Sequence, residues 1–155
     1  MKLLLVRHGN TFNVGQKAFF IGSKEDIPLV QSGREQAMAL GQALQKNHTD
    51  TADELPIPDT IYTSPLKRAT EFSNIIIKQL TVNIPVLVDH RLNEIDYGAW
   101  GGLSKEAICR KFHQETFERW DKYLKWPDQS TASRWGESEE IVIKRVHSMI
   151  ADLIK

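Results

Sequence analysis

Three short stretches hold residue types suited to phosphate chemistry. Arg7 and His8 lie side by side ahead of Gly9, Asn10 and Thr11. Ser64, Lys67 and Arg68 form a second group, and Arg91, Glu94 and Asp96 a third. Arginine forks match the planar, multi-oxygen charge of a phosphate. A histidine beside them can attack phosphorus, and a carboxylic acid can protonate the leaving oxygen. That set points to phosphoryl transfer without a metal. Taken singly, His8 reads more readily as a hydrogen-bonded strand-end residue, Arg68 as a solvated helix residue and Glu94 as a loop carboxylate. Their joint placement is what favours chemistry.

The placement follows from the elements around them. Leu3 to Val6 is a continuous apolar run without a helical face, which predicts a strand buried on both sides. Ile61-Tyr62-Thr63 and Pro85-Val86-Leu87-Val88 predict two further strands. Each of the three groups directly follows one of these strands, and open parallel sheets bind ligands beyond the carboxyl ends of their strands. Helices are expected between them. Ser32 and Glu35 read as a capping box opening a helix with apolar positions Ala37, Leu40, Ala43 and Leu44. Ser64-Pro65 reads as N-cap and first helical position of a second, with Ala69, Phe72, Ile76 and Leu80 inward. Helices over 104–113 and 115–125 are expected next. A last one, capped by Ser138, presents Val142, Val146, Met149, Ile150 and Leu153. Alternating strands and helices imply an α/β fold, a three-layer α/β/α arrangement around a mainly parallel central sheet.

Composition narrows the rest. Twenty basic and twenty acidic residues balance over 155 positions, so no electrostatic footprint for nucleic acid is present. A hydrophobic share of 41% and a charged share of 26% suit one globular domain over 1–155. Cys109 is the only cysteine, which excludes a disulfide framework and a thiolate zinc cluster. MKLLLV is too short for a signal-peptide core, and no apolar run approaches the roughly 18 residues of a membrane helix. A soluble, cytoplasmic protein with no membrane partner is expected. Neither a phosphate-binding GxxxxGK[ST] loop nor HExxH occurs, and Gly98 to Gly102 lacks dinucleotide-binding spacing. Trp120 and Trp126 read as packing residues, while Trp100 and Trp135 read either as packing or as lining a pocket mouth.

LVRHGNT at 5–11, DIPLVQSGREQA at 26–37, YTSPLKRAT at 62–70 and RLNEIDYGAWGG at 91–102 occur in one order. Together they resemble the histidine phosphatase superfamily, also called phosphoglycerate mutase-like. WGES at 135–138, opening a helix with Arg145-Val146, is similar to the smaller phosphatase members. The resemblance implies that His8 is transiently phosphorylated and that Arg7 and Arg68 grip the phosphoryl group. It implies that Glu94 acts as proton donor and then as base for water. Asn13 lies one residue before the position where the family has a phosphate-touching asparagine, and Asn10 stands where the family usually has Glu or Gln. A small phosphorylated metabolite is the implied substrate, with no cofactor and no metal.

The end of the chain departs from the pattern. The family carries a second catalytic histidine after the last helix. His48 begins a polar loop, His90 has no fixed family position, His113 closes a helix and His147 lies off its helix's apolar face. None of the four replaces it. The chain is therefore expected to lack a last strand and helix, or to have its exposed sheet edge covered by a second copy in a homodimer. The leading function is phosphate-monoester hydrolysis through a phosphohistidine. A cofactor-dependent phosphoglycerate mutase is the alternative, although only 43 positions separate Glu94 from Glu137, where mutases carry a longer insertion. An inactive phosphate-binding protein is the alternative from another class.

Overall fold

A computed structural model describes residues 2–46 and 56–154. His48 lies outside them. The chain divides into two units, Met1–Gly15 with Ile27–His90, and Gln16–Asp26 with Arg91–Lys155.

In the first unit, β1 (Ile61–Thr63) pairs with β2 (Val86–Val88) in parallel, with Ile61 opposite Val86. The ladder continues at both ends through Ile61 N to Pro85 O at 3.0 Å and Asp89 N to Thr63 O at 2.8 Å. Helix α1 (Gln31–Lys46) precedes β1, and α2 (Lys67–Ile77) supplies the crossover that a parallel pair needs. Leu29, Ala37, Leu44, Phe72 and Ile76 form the core. The buried side of α1 carries Gly33, Ala37, Gly41 and Leu44, so small residues admit a close neighbour. A Cβ on Gly41 would stand 2.8 Å from Ile76 O and from Gln79 Cβ.

Leu3 to Val6 does not form the expected buried strand. These residues belong to no helix or strand, and Leu5 is 85% exposed. Among the described residues β1 pairs only with β2, so this run has no strand to bond. An apolar run makes a buried strand only where partners satisfy its N–H and C=O groups. The sheet of the described residues is accordingly two-stranded rather than a larger central one.

The helix starts also differ. Ser32 lies inside α1, where Val30 O accepts from Arg34 N at 3.1 Å and begins the helical bonding. Ser32 Oγ accepts instead from Asn10 Nδ2 at 3.3 Å, and Glu35 accepts from Gln31 Nε2 at 3.0 Å. The capping-box pattern thus serves a loop contact and an i,i+4 pair. Helix α2 begins at Lys67 after an extended Leu66, two residues beyond Pro65.

The second unit contains α3 (Lys105–Phe112), α4 (Gln114–Tyr123) and α5 (Glu139–Leu153). Ser104 Oγ caps α3 by accepting from Ala107 N at 3.3 Å, and Ser138 Oγ caps α5 by accepting from Ile141 N at 3.4 Å. The core is aromatic: Trp100, Ile108, Phe112, Phe117 and Trp135 are buried, with Phe20, Tyr97, Trp120 and Trp126 around them. Trp135 meets Tyr97, Trp120 and Trp126 edge-on at centroid distances of 4.8, 4.6 and 4.8 Å. Such edge-on pairs add about 0.5–1.5 kcal/mol each beyond area burial. Trp100 and Trp135 are therefore core residues, not a pocket rim. On α5 only Met149 of the expected apolar face is buried, while Val146 and Ile150 are exposed. No described helix is long and apolar enough to cross a membrane.

Candidate active site

His8 sits in a loop pressed against the first turn of α1. Val30 N donates to Asn10 O at 3.1 Å, and Asn10 N donates to Gln36 Oε1 at 2.8 Å. The approach is so close that a Cβ on Gly9 would lie 2.5 Å from Gly33 O, and one on Gly33 would overlap Asn10 O. Two glycines facing each other allow backbone to meet backbone. The half-buried imidazole is fixed by a 2.8 Å bond between Nδ1 and Gly9 O. A carbonyl oxygen only accepts, so Nδ1 carries a proton, and whenever the ring is neutral its lone pair lies at Nε2. That is the form a nucleophilic histidine requires.

Arg68 belongs to the same unit and is 2% exposed. It precedes Phe72 and Ile76 at four-residue steps, so the inward stripe of α2 ends in a guanidinium. A charge buried this deeply needs compensating charge or hydrogen bonds. Its place in the first turn, at the positive end of the helix dipole, raises the demand for negative charge there. Arg7 and Asn13 are exposed residues of this unit. Hence four of the five expected site residues fall in the first unit, and Glu94 falls in the second.

Glu94 is half-buried on the segment between β2 and the 3₁₀ turn Gly98–Trp100. Its Oε1 accepts from Ile95 N at 2.9 Å. The segment is fastened on several sides. Ser23 N donates to Ile95 O at 3.1 Å, and Gly136 N donates to Asp96 O at 2.8 Å. Asp96 N donates to Glu137 Oε2 at 3.0 Å, and Asp96 Oδ1 accepts from Gly98 N at 2.9 Å. Lys24 Nζ pairs with Asp96 Oδ2 at 2.8 Å, and this hydrogen bond, helped by the carboxylate charge, raises the lysine pKa above its ordinary value. Asp96 is thus a structural anchor next to the candidate acid.

Sequence reading did not single out Ser23, Lys24, Glu137 or Arg145 as support for this segment. The only sequence trace was the WGES motif ahead of a helix carrying an arginine eight residues after Glu137. His90, His113 and His147 are exposed. Among the described residues no group of three or more His, Cys, Asp or Glu is arranged to hold a metal ion.

A short parallel sheet and helices, with a histidine lodged beside a helix start, make an α/β architecture that solved structures share. A mycobacterial glucosyl-3-phosphoglycerate phosphatase is 28% identical and superposes with a TM-score of 0.70, over 95% of this chain and 61% of that one. By sequence, a 2,3-bisphosphoglycerate-dependent phosphoglycerate mutase of Arthrobacter sp. is 36% identical over 127 residues, covering 81% of this chain and 48% of the mutase. Phosphoserine phosphatase 1 of Hydrogenobacter thermophilus is 32% identical over 157 residues, covering 100% of this chain and 65% of that protein. The chain therefore spans between about half and two thirds of the length of these relatives. Residues 3–155 match the family model, and the chain belongs to the histidine phosphatase superfamily (branch 1).

Proposed function

We propose that the protein hydrolyses small phosphate monoesters through a phosphohistidine on His8. Nε2 of the neutral imidazole attacks phosphorus, and the ester oxygen leaves with its bonding electrons. Arg7 and Arg68, with Asn13, bind the non-bridging oxygens and offset their growing charge. Glu94 gives its proton to the leaving oxygen. Water then attacks the phosphohistidine, Glu94 takes the water proton, and inorganic phosphate departs with the imidazole restored. The bond between His8 Nδ1 and Gly9 O carries this reading, because it fixes the tautomer whose Nε2 is nucleophilic. Family membership supports it. The reading includes the three-layer α/β/α arrangement expected from the sequence, with 1–155 acting as one catalytic domain.

A second reading is favoured by the Arthrobacter mutase, more similar in sequence than the Hydrogenobacter phosphatase. The same phosphohistidine would then return its phosphoryl group to a sugar acid. One experiment addresses both. Incubation with a labelled phosphate ester in excess EDTA and quenching should trap an acid-labile, base-stable phosphoprotein, absent in His8→Ala. Label that persists in His8→Ala defeats both readings. With labelled 3-phosphoglycerate, release of inorganic phosphate supports hydrolysis, and appearance of 2-phosphoglycerate supports the mutase.

A further inference from the structure

Glu94 belongs to a segment whose two ends are held by a single ion pair from elsewhere in the same unit. Arg145 on α5 donates through Nε to Glu137 Oε1 at 2.9 Å and through one terminal nitrogen to Glu137 Oε2 at 3.1 Å. Its other terminal nitrogen donates to Arg91 O at 2.7 Å. Glu137 Oε2 also accepts from Asp96 N at 3.0 Å. Arg91 and Asp96 bracket Glu94, so the guanidinium grips the backbone before the carboxylate and its partner grips the backbone after it.

Neither side chain is spread on the surface: Arg145 is 15% exposed and Glu137 20%. The pair is a two-bond fork, the geometry that gives a charge-assisted contact its directional stiffness. Arg91 extends the fastening, because its own side chain reaches Ser148 and Asp152 on α5, at 3.0 and 2.6 Å. By contrast, the Glu94 carboxylate has one hydrogen bond among the described residues, to the adjacent Ile95 N. Its position is therefore set by the backbone that carries it. An ion pair kept only for stability has no need to take both ends of one short segment.

We propose that Arg145 and Glu137 are positioning residues that hold Glu94 in place for proton transfer. This rests on Glu94 being the general acid. A proton donor must stay within hydrogen-bond reach of the leaving oxygen, and a displacement near 1 Å can cost about a hundredfold. Lysine cannot replace Arg145, since a single ammonium does not reproduce the fork to Glu137 and the bond to Arg91 O together.

The test is the leaving-group dependence of hydrolysis, measured on the full chain. Alkyl phosphates need protonation of a poor leaving group, whereas p-nitrophenyl phosphate needs little. Arg145→Ala and Arg145→Lys should each lower kcat on an alkyl phosphate by about tenfold or more, with less than about threefold loss on p-nitrophenyl phosphate. Glu137→Gln keeps an acceptor for Asp96 N, so its loss should be smaller and in the same direction. The limb of the pH–rate profile that reports the acid should weaken in all three. Ile108→Val, a core change in the same unit, should lower the melting temperature and leave the alkyl-to-aryl ratio unchanged. Where Arg145→Ala does not fold, Arg145→Lys and Glu137→Gln decide the matter. Equal losses on both esters, or full alkyl activity in Arg145→Lys, overturn the clamp while the His8 phosphoenzyme still forms. Failure of wild-type protein to form that phosphoenzyme defeats the functional reading and the clamp with it.

Discussion

The loop of the proposed nucleophile is held by uncharged contacts, while the loop of the proposed acid is held by ion pairs as well. Around His8, backbone meets backbone: Gly9 lies against Gly33, and Val30 N bonds Asn10 O. Around Glu94, side chains add to backbone bonds: Ser23 N and Gly136 N donate to Ile95 O and Asp96 O, and Glu137, Arg145 and Lys24 also fasten Arg91 and Asp96. The first arrangement is uncharged and has almost no slack, because atoms already at contact cannot close further. The second adds ionised groups to its backbone bonds, and the Asp96 carboxylate among them can rotate. The first loop is therefore sensitive to added bulk, and the second to lost charge.

Gly33→Ala should produce the largest effect. Alanine raises helix propensity by about 1 kcal/mol over glycine. The added methyl, however, overlaps Asn10 O and lies 2.9 Å from Asn10 N, both backbone atoms. Overpacking of this kind costs about 1–3 kcal/mol, so the steric term wins. The loop must withdraw from α1, and phosphoenzyme formation should fall about a hundredfold, read by rapid quench. Wild-type rates in this variant would contradict the backbone-contact account of the His8 loop.

Gly136→Ala tests the other loop and should cost less. Its methyl would overlap the Asp96 carboxylate, with Oδ1 at 2.7 Å, but a carboxylate can rotate away. Rotation breaks the bonds from Gly98 N and Lys24, while Asp96 N stays bonded to Glu137. A loss of about threefold to fivefold on alkyl phosphates is expected, with smaller change in phosphoenzyme formation from p-nitrophenyl phosphate. A hundredfold loss would mean that the acid loop has as little slack as the His8 loop.

The smallest effect concerns acid. In the second unit, hydrogen bonds from Ser104 to Glu106, Gln114 to Glu118, and Ser130 N–H to Asp128 hold these carboxyls below their ordinary values of 4.5, 4.5 and 3.8. A carboxyl lowered by folding adds stability above its unfolded value and loses it as pH falls through the folded one. The second unit should therefore soften gradually below about pH 4.5. Trp100, Trp120, Trp126 and Trp135 all lie in that unit, so tryptophan fluorescence in melts from about pH 6 to about pH 3 reports it directly. A melting temperature that rises on acidification would reverse the sign.

Much of this architecture was legible as local pattern. The strands at Ile61–Thr63 and Val86–Val88, the helices α3 and α4 to within about two residues, and the Ser138 cap of α5 follow from apolar spacing and end chemistry. So does the inward stripe of Phe72 and Ile76 on α2. The four motif blocks in order, with His8, Arg68 and Glu94 inside them, were enough to indicate the family that residues 3–155 match.

Other features depended on neighbours far along the chain. Leu3 to Val6 has strand composition, yet a strand exists only where another supplies its ladder, and no local pattern supplies that. Ser32 fits a cap, but Asn10, 22 residues earlier, takes its hydroxyl. Trp100 and Trp135 lie outside any regular amphipathic pattern, so only the rings converging on them showed that they are core. The hold of Arg145 on Arg91 spans 54 residues and that of Glu137 on Asp96 spans 41. Periodicity and capping are short-range physics and can be read along the chain. Ladder partners, ring packing and charge clamps form between distant segments, and only the tertiary structure decides which ones meet.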